Sequence, residues 1–233
     1  MTITPYLAMT AAEIRSCSML PSQIGWMACH FSLYSTGLSN LPEELPPDSI
    51  LILNDIIPLR RHDPDRVIRQ LSECITGNQC HGLLLDFQRP VTPDTTDLIR
   101  RILESLPCPT AVSAPAAMEL TCPVLIPPCP LCTPLREHLS HWQGREIWLE
   151  LARETAKVTV TEKGTKCESL EYDTRPDDGH MDGSLHCHYS MEITGQNASF
   201  TLWRDSQDQK ALIEEAASLG ISHAIGLYQE LFL

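Results

Sequence analysis

The chain has 233 residues, 42% of them hydrophobic, enough to bury one large α/β core more readily than two small ones. Its 17 Lys+Arg against 30 Asp+Glu leave a formal charge of −13, which repels phosphate backbones and anionic membranes and excludes nucleic acid as an expected partner. No apolar run approaches the ~20 residues of a bilayer span. The first residues lack a secretory pattern, and ten cysteines without a short disulfide framework fit a reducing interior, so a cytoplasmic protein is expected.

Along the chain, short apolar or β-branched runs predict strands at 27–31, 50–54, 83–87, 110–114, 124–126, 147–151, 200–203 and 224–227. Between them, Asp63-Pro64, Thr92-Pro93 and Thr133-Pro134 each place a capping side chain before a proline suited to the first helical turn. The stripes that follow are one-sided: Ile68, Leu71 and Ile75; Ile99, Ile102, Leu103 and Leu106; Leu135, Leu139 and Trp142. From 157 to 193 the rhythm breaks into alternating residues, a turn at Gly164 and an acidic stretch, Tyr172 to Gly183, predicting a β-rich insertion with an acidic loop between the sixth and seventh strands. Ser206-x-x-Gln209 then reads as a capping box, Leu212, Ala216 and Leu219 share a face, and Gly220 stops the helix before the last strand.

Eight strands apolar on both faces, alternating with one-sided helices, predict a single α/β domain over 1–233 folded as a (β/α)8 TIM-like barrel, with an open doubly wound sheet as the rival. Neither G-x-G-x-x-G nor G-x-x-x-x-G-K-[ST] occurs, so no cofactor is expected. The run His81-Gly82-Leu83-Leu84-Leu85-Asp86-Phe87-Gln88 ends a buried strand in a carboxylate and an amide two residues apart, which point the same way off the pleat. Gln88 neither gives nor takes a proton at ordinary pH.

This run resembles the Asp-Gly-x-Asp-x-Asp-x-Glu of glycoside hydrolase family 18, the chitinase-like barrels, with Gly82 and Asp86 matching and Gln88 at the position of the catalytic glutamate. The closing stretch is similar too: Trp203-Arg204-Asp205-Ser206, Lys210, Ala216, Gly220 and then Ala224-Ile225-Gly226-Leu227-Tyr228, where Tyr228 stands for the family's floor tryptophan. Arg89-Pro90, a helix and Thr110-Ala111-Val112-Ser113-Ala114-Pro115 resemble the run into the family's fifth strand. The first quarter of the chain has no counterpart, and the expected Ser-x-Gly-Gly is absent.

In the mechanism this resemblance implies, the glutamic acid protonates the glycosidic oxygen while the aspartate orients the substrate's own N-acetyl group as nucleophile, an exception to the usual two-carboxylate scheme. Gln88 removes the proton donor and Leu84 the inner carboxylate that would share a proton with Asp86. General acid catalysis contributes about 10²–10⁴-fold. The expectation is therefore a non-catalytic, glycan- or cell-wall-binding relative, with Asp86, Gln88, Tyr228, Trp203 and His30 as candidate ligand contacts. The alternatives are an active glycosidase using Glu150 or Glu230 as its acid, and a purely structural barrel in which Asp86 and Gln88 only satisfy backbone groups at the rim. Cys129-Pro130-Leu131-Cys132 with His186 and His188 has metal-like spacing, but buried thiols and two strand histidines on one face are the default reading, so no metal is expected.

Overall fold

The computed structural model describes residues 3–195 and 197–231. Eight parallel strands close into a ring: β1 (Tyr6–Met9), β2 (Ile24–Phe31), β4 (Ile50–Asn54), β5 (Gly82–Asp86), β6 (Thr110–Ser113), β7 (Val124–Ile126), β8 (Ile147–Leu151) and β14 (His223–Leu227). Closure comes from β1, which pairs with β14 (Tyr6↔Ile225) on one side and with β2 (Leu7↔Ile24) on the other. A two-residue strand, β3 (Leu38–Ser39), runs antiparallel along β2. The expected barrel is thus the fold, with one change of membership. Tyr6–Met9 is a ring strand, whereas 200–203 lies in a separate antiparallel sheet.

That sheet consists of β9 (Thr155–Thr161), β10 (Gly164–Leu170), β11 (His180–Asp182), β12 (Cys187–Thr194) and β13 (Asn197–Trp203), ordered β10-β9-β13-β12-β11. The insertion therefore falls between the seventh and eighth ring strands and is wider than 157–193. Arg204, only 1% exposed, locks it to the loop after β7 by donating to the carbonyls of Cys129, Pro130, Leu185 and His186.

The helices are α1 (Ala11–Ser16), α2 (Pro64–Gly77), α3 (Pro93–Ser105), α4 (Ala114–Ala117), α5 (Leu135–Ser140), α6 (Ser206–Ser218) and α7 (Tyr228–Leu231). Asp63 and Thr92 cap α2 and α3 as expected, each accepting first-turn amides. Two signals resolve differently. Pro134 itself occupies the cap position of α5, without a side-chain bond, and Trp142 lies beyond that helix. The capping box of α6 is Asp205 with Asp208, one residue earlier than Ser206-x-x-Gln209, because a carboxylate accepts amide protons more strongly than a hydroxyl.

Strand alternation separates two apolar layers. Tyr6, Ala8, Ile50, Ile52, Leu84, Ala111, Leu125, Trp148 and Ile225 fill the ring, while Leu51, Leu53, Leu83, Leu85 and Leu149 face outward onto Leu71, Ile99, Ile102, Leu212 and Ala216. Gly82 has a steric reason to be glycine: a Cβ there would stand 2.7 Å from the carbonyl oxygen of Pro109, a backbone atom that cannot swing aside.

Candidate functional site at the barrel mouth

All ring strands run the same way, so their C-terminal ends form one face, where barrels of this kind carry their chemistry. Ile52, Leu84 and Trp148 point inward, so Asn54, Asp86 and Glu150, two residues further along the same strands, project into the mouth above them. Gln88 follows Asp86, and its Nε2 donates to Asp86 Oδ1 at 2.5 Å. The amide is thus a donor to the aspartate. Leu84, buried in the apolar interior, offers Asp86 no proton to share.

The backbone that presents this pair is held from both neighbouring strands. Asp55, just past β4, accepts from the Gln88 amide at 3.0 Å and the Arg89 amide at 2.9 Å. Arg89 returns hydrogen bonds to the carbonyls of Asp55 and Ile56. On the other side, buried Ser113 accepts from Phe87 N at 2.9 Å and donates to Phe87 O at 2.8 Å. Neither Asp55 nor Ser113 was a candidate from the sequence. The available signal was a polar residue at the end of an otherwise apolar strand.

Burial raises the pKa of Asp86, opposed by the Gln88 hydrogen bond and reinforced by the charge of Asp55. Glu150 is pushed further, to about 7, by burial first and then by the charges of Asp86, Glu230 and Glu154. Mutual repulsion falls on whichever carboxyl titrates second, here Glu150. The two alternative acids now differ. The Glu150 carboxyl makes no hydrogen bond among the described residues, whereas that of Glu230, in α7, accepts from Arg153 N at 3.0 Å.

His30 lies in register with Asn54, on the inward side of β2. Its Nδ1 donates to Phe31 O at 2.8 Å and its Nε2 accepts from Asn40 Nδ2 at 3.1 Å, so both ring nitrogens are held by the rim. The two aromatics expected beside Asp86 and Gln88 have these surroundings. Tyr228 opens α7 and packs toward Leu7, Met9, Ile24 and Cys17, with its hydroxyl 3.8 Å from Cys17 Sγ. Trp203 ends β13, buried in the antiparallel sheet and stacked on His188 at 5.7 Å.

The metal-like spacing is not gathered either. Cys129 Sγ donates to Thr133 O, and burial raises the Cys129 thiol. Cys132 is exposed. His186 sits in a left-handed turn (φ 48°) before β12, not on its face, and donates to Glu215 at 2.6 Å. His188 donates to Asp208 at 2.8 Å. Among the described residues, His188, Asp205 and Asp208 are close enough to share an ion, but this cluster is accounted for by the cap of α6 and its histidine partner.

No protein-family model and no curated protein matches the chain by sequence. Solved structures do match by shape. A class V chitinase from Nicotiana tobaccum aligns over 97% of this chain and 93% of its own at TM-score 0.59 and 9% identity. The spore cortex-lytic enzyme SleL of Bacillus cereus aligns over 96% and 70% at 0.57 and 9%. A Cycas revoluta GH18 chitinase, a double variant with one Glu→Gln replacement in complex with (GlcNAc)4, aligns over 95% and 94% at 0.56 and 9%. The chain has the barrel fold of glycoside hydrolase family 18. Among the described residues, no helix is long and apolar enough to cross a membrane.

Proposed function

We propose that this protein is a non-catalytic, glycosidase-type barrel that binds an N-acetylated glycan or cell-wall fragment at its mouth through Asp86, Gln88 and Glu150. The observation that carries this reading is the Gln88–Asp86 hydrogen bond on a backbone clamped by Asp55 and Ser113. The presentation of the catalytic strand is kept while the proton donor is gone. An amide beside a carboxylate can still orient hydroxyl and N-acetyl groups, and a Glu→Gln chitinase of the same fold holds (GlcNAc)4. The unpaired, mostly burial-raised thiols support a reducing, cytoplasmic setting.

One observation favours a second reading. A carboxyl near pKa 7 is suited to general acid work at neutral pH, so Glu150 is the group through which a residual glycosidase would act. Calorimetric titration of chitin oligomers and muropeptides, with chromatography of the same mixtures, separates the two. Binding that Asp86→Ala abolishes, with no product, supports the first reading. Product formation that Glu150→Gln abolishes establishes the second.

A further inference from the structure

A cleft of about 880 Å³ opens between residues 32–36, which follow β2 beyond Phe31, and residues 57–62, which follow β4 beyond Asn54. It is lined by buried Ser32 and half-buried His62. Ser32 Oγ accepts from the amides of Tyr34 (3.2 Å) and Ser35 (3.1 Å). His62 Nε2 donates to Ser32 O at 3.2 Å, while His62 Nδ1 accepts from Arg60 N at 2.9 Å. Both ring nitrogens are therefore committed to the loops, and burial lowers the His62 pKa, keeping the ring neutral. Asp63 N donates to Thr36 O at 2.8 Å, tying the two loops together.

The walls have a different character. Arg60 and Arg61 are exposed, and among the described residues neither has a carboxylate within salt-bridge distance, in a chain with 30 acidic side chains against 17 basic ones. Arg61 holds a left-handed backbone (φ 47°), a conformation that costs a non-glycine residue free energy and tends to persist where surroundings impose it. Tyr34, 97% exposed, presents an unburied aromatic ring on the opposite loop. Planar guanidinium forks match a carboxylate, and an aromatic face matches the apolar side of a pyranose ring.

We infer that this cleft is a subsite for a carboxylate-bearing sugar, with Arg60 and Arg61 gripping the acid and Tyr34 the ring, so that the mouth and the cleft together select an acidic oligosaccharide. This specificity rests on the glycan-binding reading of the mouth.

The test titrates a neutral N-acetylglucosamine tetrasaccharide and a hyaluronan tetrasaccharide, which carries glucuronate, into the wild-type protein and the Arg60→Ala/Arg61→Ala double variant at low salt. The acidic sugar is expected to bind about tenfold tighter than the neutral one, as befits charge-assisted contacts at a solvent-open site. The double variant should lose that preference and keep its affinity for the neutral sugar. Equal affinities in the wild type, or a preference that survives the double substitution, would overturn the subsite and leave the mouth reading standing. Displacement of the acidic sugar by an equal concentration of inorganic phosphate would also overturn it, by marking a simple anion site. If neither sugar binds, both the mouth reading and the subsite fail. If only the acidic one binds, and the double variant loses it, the cleft is an acidic-sugar site by itself and joint selection by mouth and cleft is overturned.

Discussion

At its base the barrel is plugged by rings. Trp148 stacks on His223 at 4.4 Å, Tyr6 lies against His81 and His223, and the two imidazoles share a hydrogen bond, Nε2 to Nε2, at 3.0 Å. At its mouth the same strands present carboxyls instead. Burial depresses the pKa of His223, with His81 adding to the effect, while it raises those of Asp86 and Glu150. The base is stabilised by keeping a proton off and the mouth by keeping one on. The two imidazoles of the base satisfy one another while Trp148 Nε1 stays buried without a hydrogen-bond partner, and at the mouth the Glu150 carboxyl makes no hydrogen bond among the described residues.

The largest expected effect tests the plug. Trp148→Ala removes a fully buried indole from the ring interior and should cost about 3–5 kcal/mol, lowering Tm by on the order of 10 °C in thermal unfolding followed by circular dichroism. A drop of only a degree or two would mean that the base is not a packed seal.

Next is the clamp. Asp55→Ala leaves the Gln88 and Arg89 amides without their acceptor and should cost about 1–3 kcal/mol in denaturant unfolding. Ligand affinity should fall with it, although Asp55 is assigned no ligand contact. Unchanged affinity would show that presentation of the pair does not depend on this bond.

The opposite titrations give the third test. The pKa of Glu150 is about 7 in the folded protein, against an ordinary glutamate value near 4.5. Its contribution is therefore fully present below the unfolded value and lost as pH rises through the folded one. The whole shift corresponds to about 3 kcal/mol, discounted to roughly 1–2 kcal/mol because the carboxyl keeps solvent contact. Glu150→Gln should raise stability at pH 8 by that amount and leave it nearly unchanged at pH 4. At the base the sign reverses. The contribution of His223 is present above the unfolded histidine pKa near 6.5 and fades as pH falls. His81→Phe removes one cause of the depression and should make the acid limb shallower by a few tenths of a kcal/mol. If both variants changed the same limb, the contrast between the ends would be wrong.

The smallest expected effect is none. Gln88→Glu places a carboxyl where the proposed reading puts the lost proton donor, yet Leu84 still gives Asp86 no partner, so no chitin-oligomer cleavage above background should appear by chromatography. Robust turnover would show that the inner carboxylate is dispensable.

The barrel was legible because strands such as Leu83–Leu85 are apolar on both faces and because Asp63 and Thr92 announce their helices. Tyr6–Met9 is not legible locally, because four residues after a proline carry no periodic signal and only the long-range pairing with β14 and β2 makes them a strand. The run 200–203 poses the converse problem: a short apolar segment reads alike in a parallel ring and an antiparallel sheet. Asp86, Gln88 and Glu150 could be found from their positions at strand ends. Asp55 and Ser113 act on the backbone of a different strand, a relation that no local spacing records, and the orientation of Tyr228 depends on the α7 turn that carries it.

One pairing has a consequence for the history and engineering of the chain. Thr155 and Trp203, the outermost residues of the inserted sheet, are direct partners across β9 and β13. Some fifty residues therefore leave and return to the connection between β8 and α6 at nearly one point, and such a module can lengthen, shrink or be exchanged without rethreading the staves on either side. Arg204, standing at that seam, is the rivet any replacement would have to supply anew.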